Sequence, residues 1–197
     1  MNWLAHVFLS KDHTNFKLGN LLTDASRPEH LNIDDKEFLA GVECHYEIDR
    51  FTDSHPLVKE SKKIFFSKYR HFSAVLVDII FDHLLAANWD LYSQQPYRSY
   101  VDDFYRELHS KELILHPESE KFVESIWKFD RLGMYDSIDG VGKAFERISS
   151  RIKLRTKIDI CESVVELREN YQVLEDKFKE FFPELENHIR SCASVPL

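Results

Sequence analysis

The stretch Ala74–Ala87, AVLVDIIFDHLLAA, decides the architecture. Apart from Asp78, Asp82 and His83, every residue in it is apolar. A segment that is hydrophobic on all sides is a helix buried at the centre of a bundle. Two carboxylates and an imidazole inside such a helix need partners, because an unpaired buried charge costs several kcal/mol or forces neutralisation. Asp78 and Asp82 are four positions apart and share one helix face. A metal ion, a buried ion pair to Arg or Lys, or a shared proton would each account for them.

Outward from this segment the apolar spacing stays helical. Hydrophobes recur at intervals of three and four in Phe104 and Leu108, in Phe122, Val123, Ile126 and Trp127, and from Val164 through Leu174 to Phe181. Helices are expected over about 36–52, 56–69, 70–92, 97–114, 118–131, 138–152, 156–182 and 183–192. Pro28, Pro56, Pro96, Pro117, Gly133 and Pro183 mark breaks at or near their ends. No sustained two-residue alternation signals a strand. The expectation is an all-α helical bundle, a single domain over residues 1–197.

Composition narrows the function classes. The chain has 197 residues, 43% of them hydrophobic and 15 of them Phe, which supplies a real core and excludes general disorder. Neither GxGxxG nor GxxxxGK occurs, so the two common nucleotide-cradling loops are absent. A net charge of −8 disfavours a nucleic-acid binder. Cys44, Cys161 and Cys192 form no CxxC pair and read as inert thiols. The opening residues MNWLAHVFLSKDH carry neither a basic n-region nor a membrane-length apolar run, so a soluble cytoplasmic protein is expected.

Charge is unevenly placed. Residues 24–53 hold nine acids against three bases, and residues 159–190 nine against four. Residues 59–70 carry five bases and one acid, and residues 143–157 six bases and one acid. The two basic runs are either solvated helix faces or docking surfaces for something anionic.

A second helical segment repeats the buried-donor theme. In residues 43–53, ECHYEIDRFTD, His45 and Asp49 are four apart, and Asp53 follows one turn later. His6 lies in the apolar context WLAHVFL, and Asp24 follows Leu21 and Leu22. A set drawn from His6, Asp24, His45, Asp49, Asp53, Asp78, Asp82 and His83 offers mixed nitrogen and oxygen donors without thiolate. That chemistry suits Mn²⁺, Fe²⁺, Mg²⁺ or Zn²⁺ better than a structural zinc site. The Glu-x-x-His signature of ferritin-like di-iron bundles occurs nowhere. The Asp/His pattern is similar to the HD-type metal-dependent phosphohydrolases, with the doublet reversed as Asp82-His83.

More specifically, the chain resembles the acyl carrier protein phosphodiesterases. The likeness runs through Met1–His6 (MNWLAH), Gly19–Asp24 (GNLLTD), Ala40–His45 (AGVECH) with Ile48-Asp49, Thr52-Asp53 with Pro56, and Val77-Asp78 through Asp82-His83 to Trp89. It continues in residues 135–151 and 171–185. This resemblance implies a distorted HD-like helical fold and a Mn²⁺-dependent hydrolase, with Mg²⁺ or Fe²⁺ as alternatives. The implied reaction removes 4′-phosphopantetheine from the serine of holo-acyl carrier protein. Asp24, His45, Asp78, Asp82 and His83 are then expected as metal ligands, with Asp24, His45, Asp82 and His83 also catalytic. His6, Asp49 and Asp53 would orient them or join the metal, and Arg27 would steady the phosphate. Lys59, Lys62, Lys63, Arg147 and Arg151 would meet the acidic carrier protein. Two positions depart from the family pattern: Tyr46 stands where an arginine commonly follows the motif histidine, and Pro28 replaces a glycine after Arg27. They keep open a nucleotide or other small phosphodiester as substrate. A non-catalytic helical interaction protein, its buried acids paired to arginines, is the remaining alternative.

Overall fold

The computed structural model describes residues 1–152 and 158–192, with side chains described through residue 150 in the first stretch. Its helices are α1 (Trp3–Phe8), α2 (Thr14–Leu22), α3 (Lys36–Ser54), α4 (Pro56–Tyr69), α5 (Ser73–Ala87), α6 (Tyr97–Ser110), α7 (Pro117–Lys128), α8 (Ile138–Ile152), α9 (Ser163–Glu169) and α10 (Tyr171–Ser191). Short 3₁₀ turns at Pro28–Leu31, Arg70–Phe72, Trp89–Leu91, Gly133–Asp136 and Ile160–Glu162 join them. Among the described residues there is no strand, and the fold is all-α as expected. No described helix is long and apolar enough to cross a membrane.

The AVLVDIIFDHLLAA segment is the buried α5. Leu76, Val77, Ile79, Ile80, Phe81, Leu84 and Leu85 are fully enclosed, and buried hydrophobes from α1 through α10 join the same cluster. Around it, α3, α4 and α8 start where expected, and α5 is shortened to Ser73–Ala87 by the 3₁₀ turns at its ends. Two expectations are corrected in the C-terminal region. The helix expected over 156–182 breaks at Asn170, and the break expected at Pro183 does not occur, since α10 runs through it to Ser191. Pro183 is exposed, so water can satisfy the carbonyl its missing N–H would have bonded. Phe178, Phe181, Phe182, Leu185 and Ile189 on the opposite face are buried, and their packing outweighs the roughly 3 kcal/mol that an internal proline costs.

Helices α1 and α2 were not among the expected elements, and they carry half of the site described below. The contact between α2 and α3 is made backbone to backbone. A Cβ on Gly41 would lie 2.0 Å from the Phe16 carbonyl oxygen, and one on Gly19 would lie 2.0 Å from that of Phe38. Only glycine permits this approach, and it places the Asn20 backbone of α2 within hydrogen-bond reach of His45 on α3.

Candidate metal centre

Helix α1 has only six residues, too few to be stable alone. It is held at its N-terminus by α5. The Asp82 carboxylate, fully buried, accepts from the backbone N–H groups of Asn2 (3.1 Å), Leu4 (2.7 Å) and Ala5 (3.3 Å). Its two oxygens therefore satisfy N–H groups that α1 leaves open at its start. That cap aims His6, one turn further on, toward α3.

Four functional side chains converge there. His6 Nε2 lies 3.3 Å from Asp49 Oδ1, and His45 Nε2 lies 3.1 Å from Asp49 Oδ2 and 3.2 Å from Asp24 Oδ1. The two imidazole rings stack with centroids 4.2 Å apart. Asp78 adjoins the cluster through the Met1 amino group, 3.2 Å from Asp78 and 4.0 Å from Asp49.

Asn20 sets the ring orientations. Its amide nitrogen donates to the His6 carbonyl and to Ser10 Oγ, both at 2.9 Å, which leaves its Oδ1 as the acceptor 2.8 Å from His6 Nδ1. Its backbone carbonyl lies 2.8 Å from His45 Nδ1 and can only accept. Both Nδ1 atoms thus carry protons, so each ring, when neutral, turns its Nε2 lone pair toward Asp49. These two Nε2 atoms are buried and have no hydrogen-bond partner. Lone pairs facing carboxylate oxygens at this distance repel unless a positive charge lies between them.

A proton or a metal ion can supply that charge. Burial opposes charging His45, but Asp24 and Asp49 beside Nε2 outweigh it and raise the pKa to about 9. Burial holds His6 below its usual range, so its ring stays neutral. For Asp49, burial works against ionisation, yet the two histidines hold the carboxyl well below the usual carboxylate range. The Asp24 carboxyl is also lowered, first by its contact with His45. Two imidazole nitrogens and a carboxylate fit a divalent transition metal, and the buried orphan nitrogens are what such an ion would satisfy.

The centre differs from the sequence expectation in membership. His6 and Asp49, expected to orient the ligands or join the metal, lie at its heart with His45, and Asp24 stands at its exposed edge. Asp82 and His83, expected as ligands, are committed elsewhere. Asp82 is consumed by the three N–H groups of α1. His83, one position on and so about 100° around the helix, places Nδ1 2.8 Å from the Tyr135 carbonyl and Nε2 3.3 Å from the Tyr171 hydroxyl. Asp53 is paired with Lys62 at 2.7 Å. Arg27 is exposed, with Glu118 at 3.8 Å and Glu29 at 4.0 Å. Lys59 and Lys63 are exposed on α4. Arg147 stands 5.6 Å over the Trp3 ring, and the Arg151 side chain lies outside the described residues.

Asn20 is the residue of this candidate centre that the sequence does not single out. Its signal was an amide enclosed by the apolar run FKLGNLL. Asn20→Ala should lower divalent-metal affinity roughly 10–100-fold while the ligands themselves remain, because the rings lose the partners that fix their tautomers. Calorimetric titration with Mn²⁺ measures this, and unchanged affinity would remove Asn20 from the centre.

Sequence comparison adds the family. A model described as acyl carrier protein phosphodiesterase matches residues 1–185. A protein of that name from Yersinia pestis is 31% identical over 188 residues, covering 93% of this chain and 94% of the relative. Its counterpart from an Enterobacter species is 30% identical over 191 residues, covering 94% and 95%. One from Escherichia coli is 28% identical over 193 residues, with the same coverage. No solved structure gives a significant match. The chain belongs to the acyl carrier protein phosphodiesterase family.

Proposed function

We propose that this protein hydrolyses the phosphodiester that joins 4′-phosphopantetheine to the serine of holo-acyl carrier protein, leaving the apo form. Family membership over nearly the whole chain supports the substrate. The observation that carries the chemistry is the pair of buried, unpartnered Nε2 atoms facing Asp49. His6, His45 and Asp49 would hold a divalent cation, with Mn²⁺ our first choice and Mg²⁺ or Fe²⁺ the alternatives. When bound, such a cation acidifies water and polarises a phosphoryl oxygen.

The chain's own groups do the rest. Asp24 is ionised and exposed at the edge of the centre, in place to accept a proton from attacking water. The water oxygen bonds to phosphorus, the bond from phosphorus to the serine oxygen breaks, and a proton ends on the departing hydroxyl. Asn20 keeps both imidazoles in one tautomer throughout. Exposed Lys59 and Lys63 on α4, with Arg147 on α8, are the cations we assign to an acidic carrier protein. Lys62 would have to leave Asp53 to take part.

Tyr46 favours keeping one second reading, a small phosphodiester substrate. Its half-exposed ring sits edge-on to His45 at 6.0 Å, where the family pattern commonly has an arginine, a residue able to hold a phosphate bidentately. Incubating the protein with Mn²⁺ and holo-acyl carrier protein decides between them. Mass spectrometry should show loss of the phosphopantetheine mass. An unmodified carrier, alongside turnover of a chromogenic phosphodiester, would favour the second reading.

A further inference from the structure

We propose that His30, His116 and Glu118 form a second metal site, for a zinc-class divalent cation, that clasps the Pro28–Leu31 turn to the start of α7. None of the three belongs to the centre around Asp49, and nothing in the hydrolysis proposed above uses them. They come from segments more than eighty positions apart in sequence, and their ligand atoms lie within 4.8 Å of one another.

The observation that points to a ligand is His30. Its side chain is only 9% exposed, and its Nδ1 is buried with no hydrogen-bond partner. A buried ring nitrogen left in that state loses the free energy of a hydrogen bond. Glu118 Oε2 lies 3.7 Å from it, too long for a hydrogen bond. Two donors held by one tetrahedral ion stand roughly 3.3–3.5 Å apart, so this spacing needs little adjustment to admit one.

His116 completes the set. Its ring stacks on that of His30 with centroids 3.4 Å apart and planes 13° apart. His116 Nδ1 faces residue 118 and is engaged there only by a long 3.3 Å bond from the Glu118 backbone N–H. Two imidazoles with a single carboxylate suit Zn²⁺, Co²⁺ or Ni²⁺, whereas the Asp49 centre has the further carboxylate of Asp24 beside His45, which adds an oxygen donor suited to Mn²⁺ or Mg²⁺. Glu118 also lies 3.8 Å from Arg27, so loading this site would draw the carboxylate away from that guanidinium.

Metal uptake tests the site without reference to hydrolysis. Metal-depleted Asp49→Asn protein, in which the first centre is disabled, is titrated with Co²⁺ by visible absorption and with Zn²⁺ against a chromophoric chelator. It should still take up a metal equivalent. His116→Ala and Glu118→Gln in that background should each weaken binding by more than about tenfold. Both residues are exposed; His116→Ala also removes the α7 N-cap, which circular dichroism checks, whereas Glu118→Gln leaves that cap in place. Absence of uptake by the Asp49→Asn protein, or identical titrations with and without His116→Ala, would overturn the proposal. Because the readout is metal content, an inactive hydrolase with this site intact remains distinguishable from an active one that lacks it.

Discussion

Asp49→Asn should reduce phosphopantetheine release about 10³-fold, equivalent to about 4 kcal/mol of transition-state stabilisation, and weaken divalent-metal binding in parallel. The carboxylate meets the Nε2 atoms of both histidines, through Oδ1 to His6 and Oδ2 to His45. Asparagine keeps the shape but replaces an anionic donor atom with an NH₂ group. That group can donate to an imidazole Nε2, which satisfies an orphan nitrogen and closes the position a cation would take. The helical fold should therefore survive, seen as an unchanged near-UV circular dichroism spectrum, while kcat/KM collapses. Full activity in a folded Asp49→Asn protein would remove the centre from the reaction.

The residues of this centre were legible to different depths. Helix α3 announced itself through periodicity, and His45 and Asp49 are paired by the i,i+4 spacing that sequence shows directly. Helix α5 was equally plain, since a run apolar on all sides has only one place to go. The partners of its acids were not. Metal, ion pair and shared proton were the readings for Asp82, and its actual partners are backbone N–H groups nearly eighty residues away. Side-chain patterns carry no record of such a bond. Helix α1 was invisible for a related reason: beyond the local Asn2 cap on the Trp3 N–H, its six residues show no amphipathic periodicity, and the distant Asp82 carboxyl holds their start. Periodicity likewise places Pro183 on an exposed face but does not weigh it against the aromatic packing beneath it.

Asp82→Ala should cost about 3–5 kcal/mol of stability. Alanine would leave the N–H groups of Asn2, Leu4 and Ala5 without their acceptor in a site that excludes water. Asp82→Asn keeps one acceptor oxygen of similar shape and should cost only about 1–2 kcal/mol. Urea unfolding separates the two. The pH dependence supplies an independent check. Burial pushes the Asp82 carboxyl up to about 7 from the usual 3.8, against the pull of the Met1 amino group and the three N–H donors. The folded protein therefore holds this proton more tightly than the unfolded chain does. Its contribution to stability is complete below about 4 and is lost as pH rises to about 7. The stability difference between wild type and Asp82→Asn should shift against the wild type across that interval and level off above it. His6 rides on α1, so any loss of metal affinity in Asp82→Ala should follow its loss of structure and be smaller in Asp82→Asn. An Asp82→Ala protein that unfolds at the wild-type urea concentration yet binds no metal would show that the carboxylate is a ligand and not a cap.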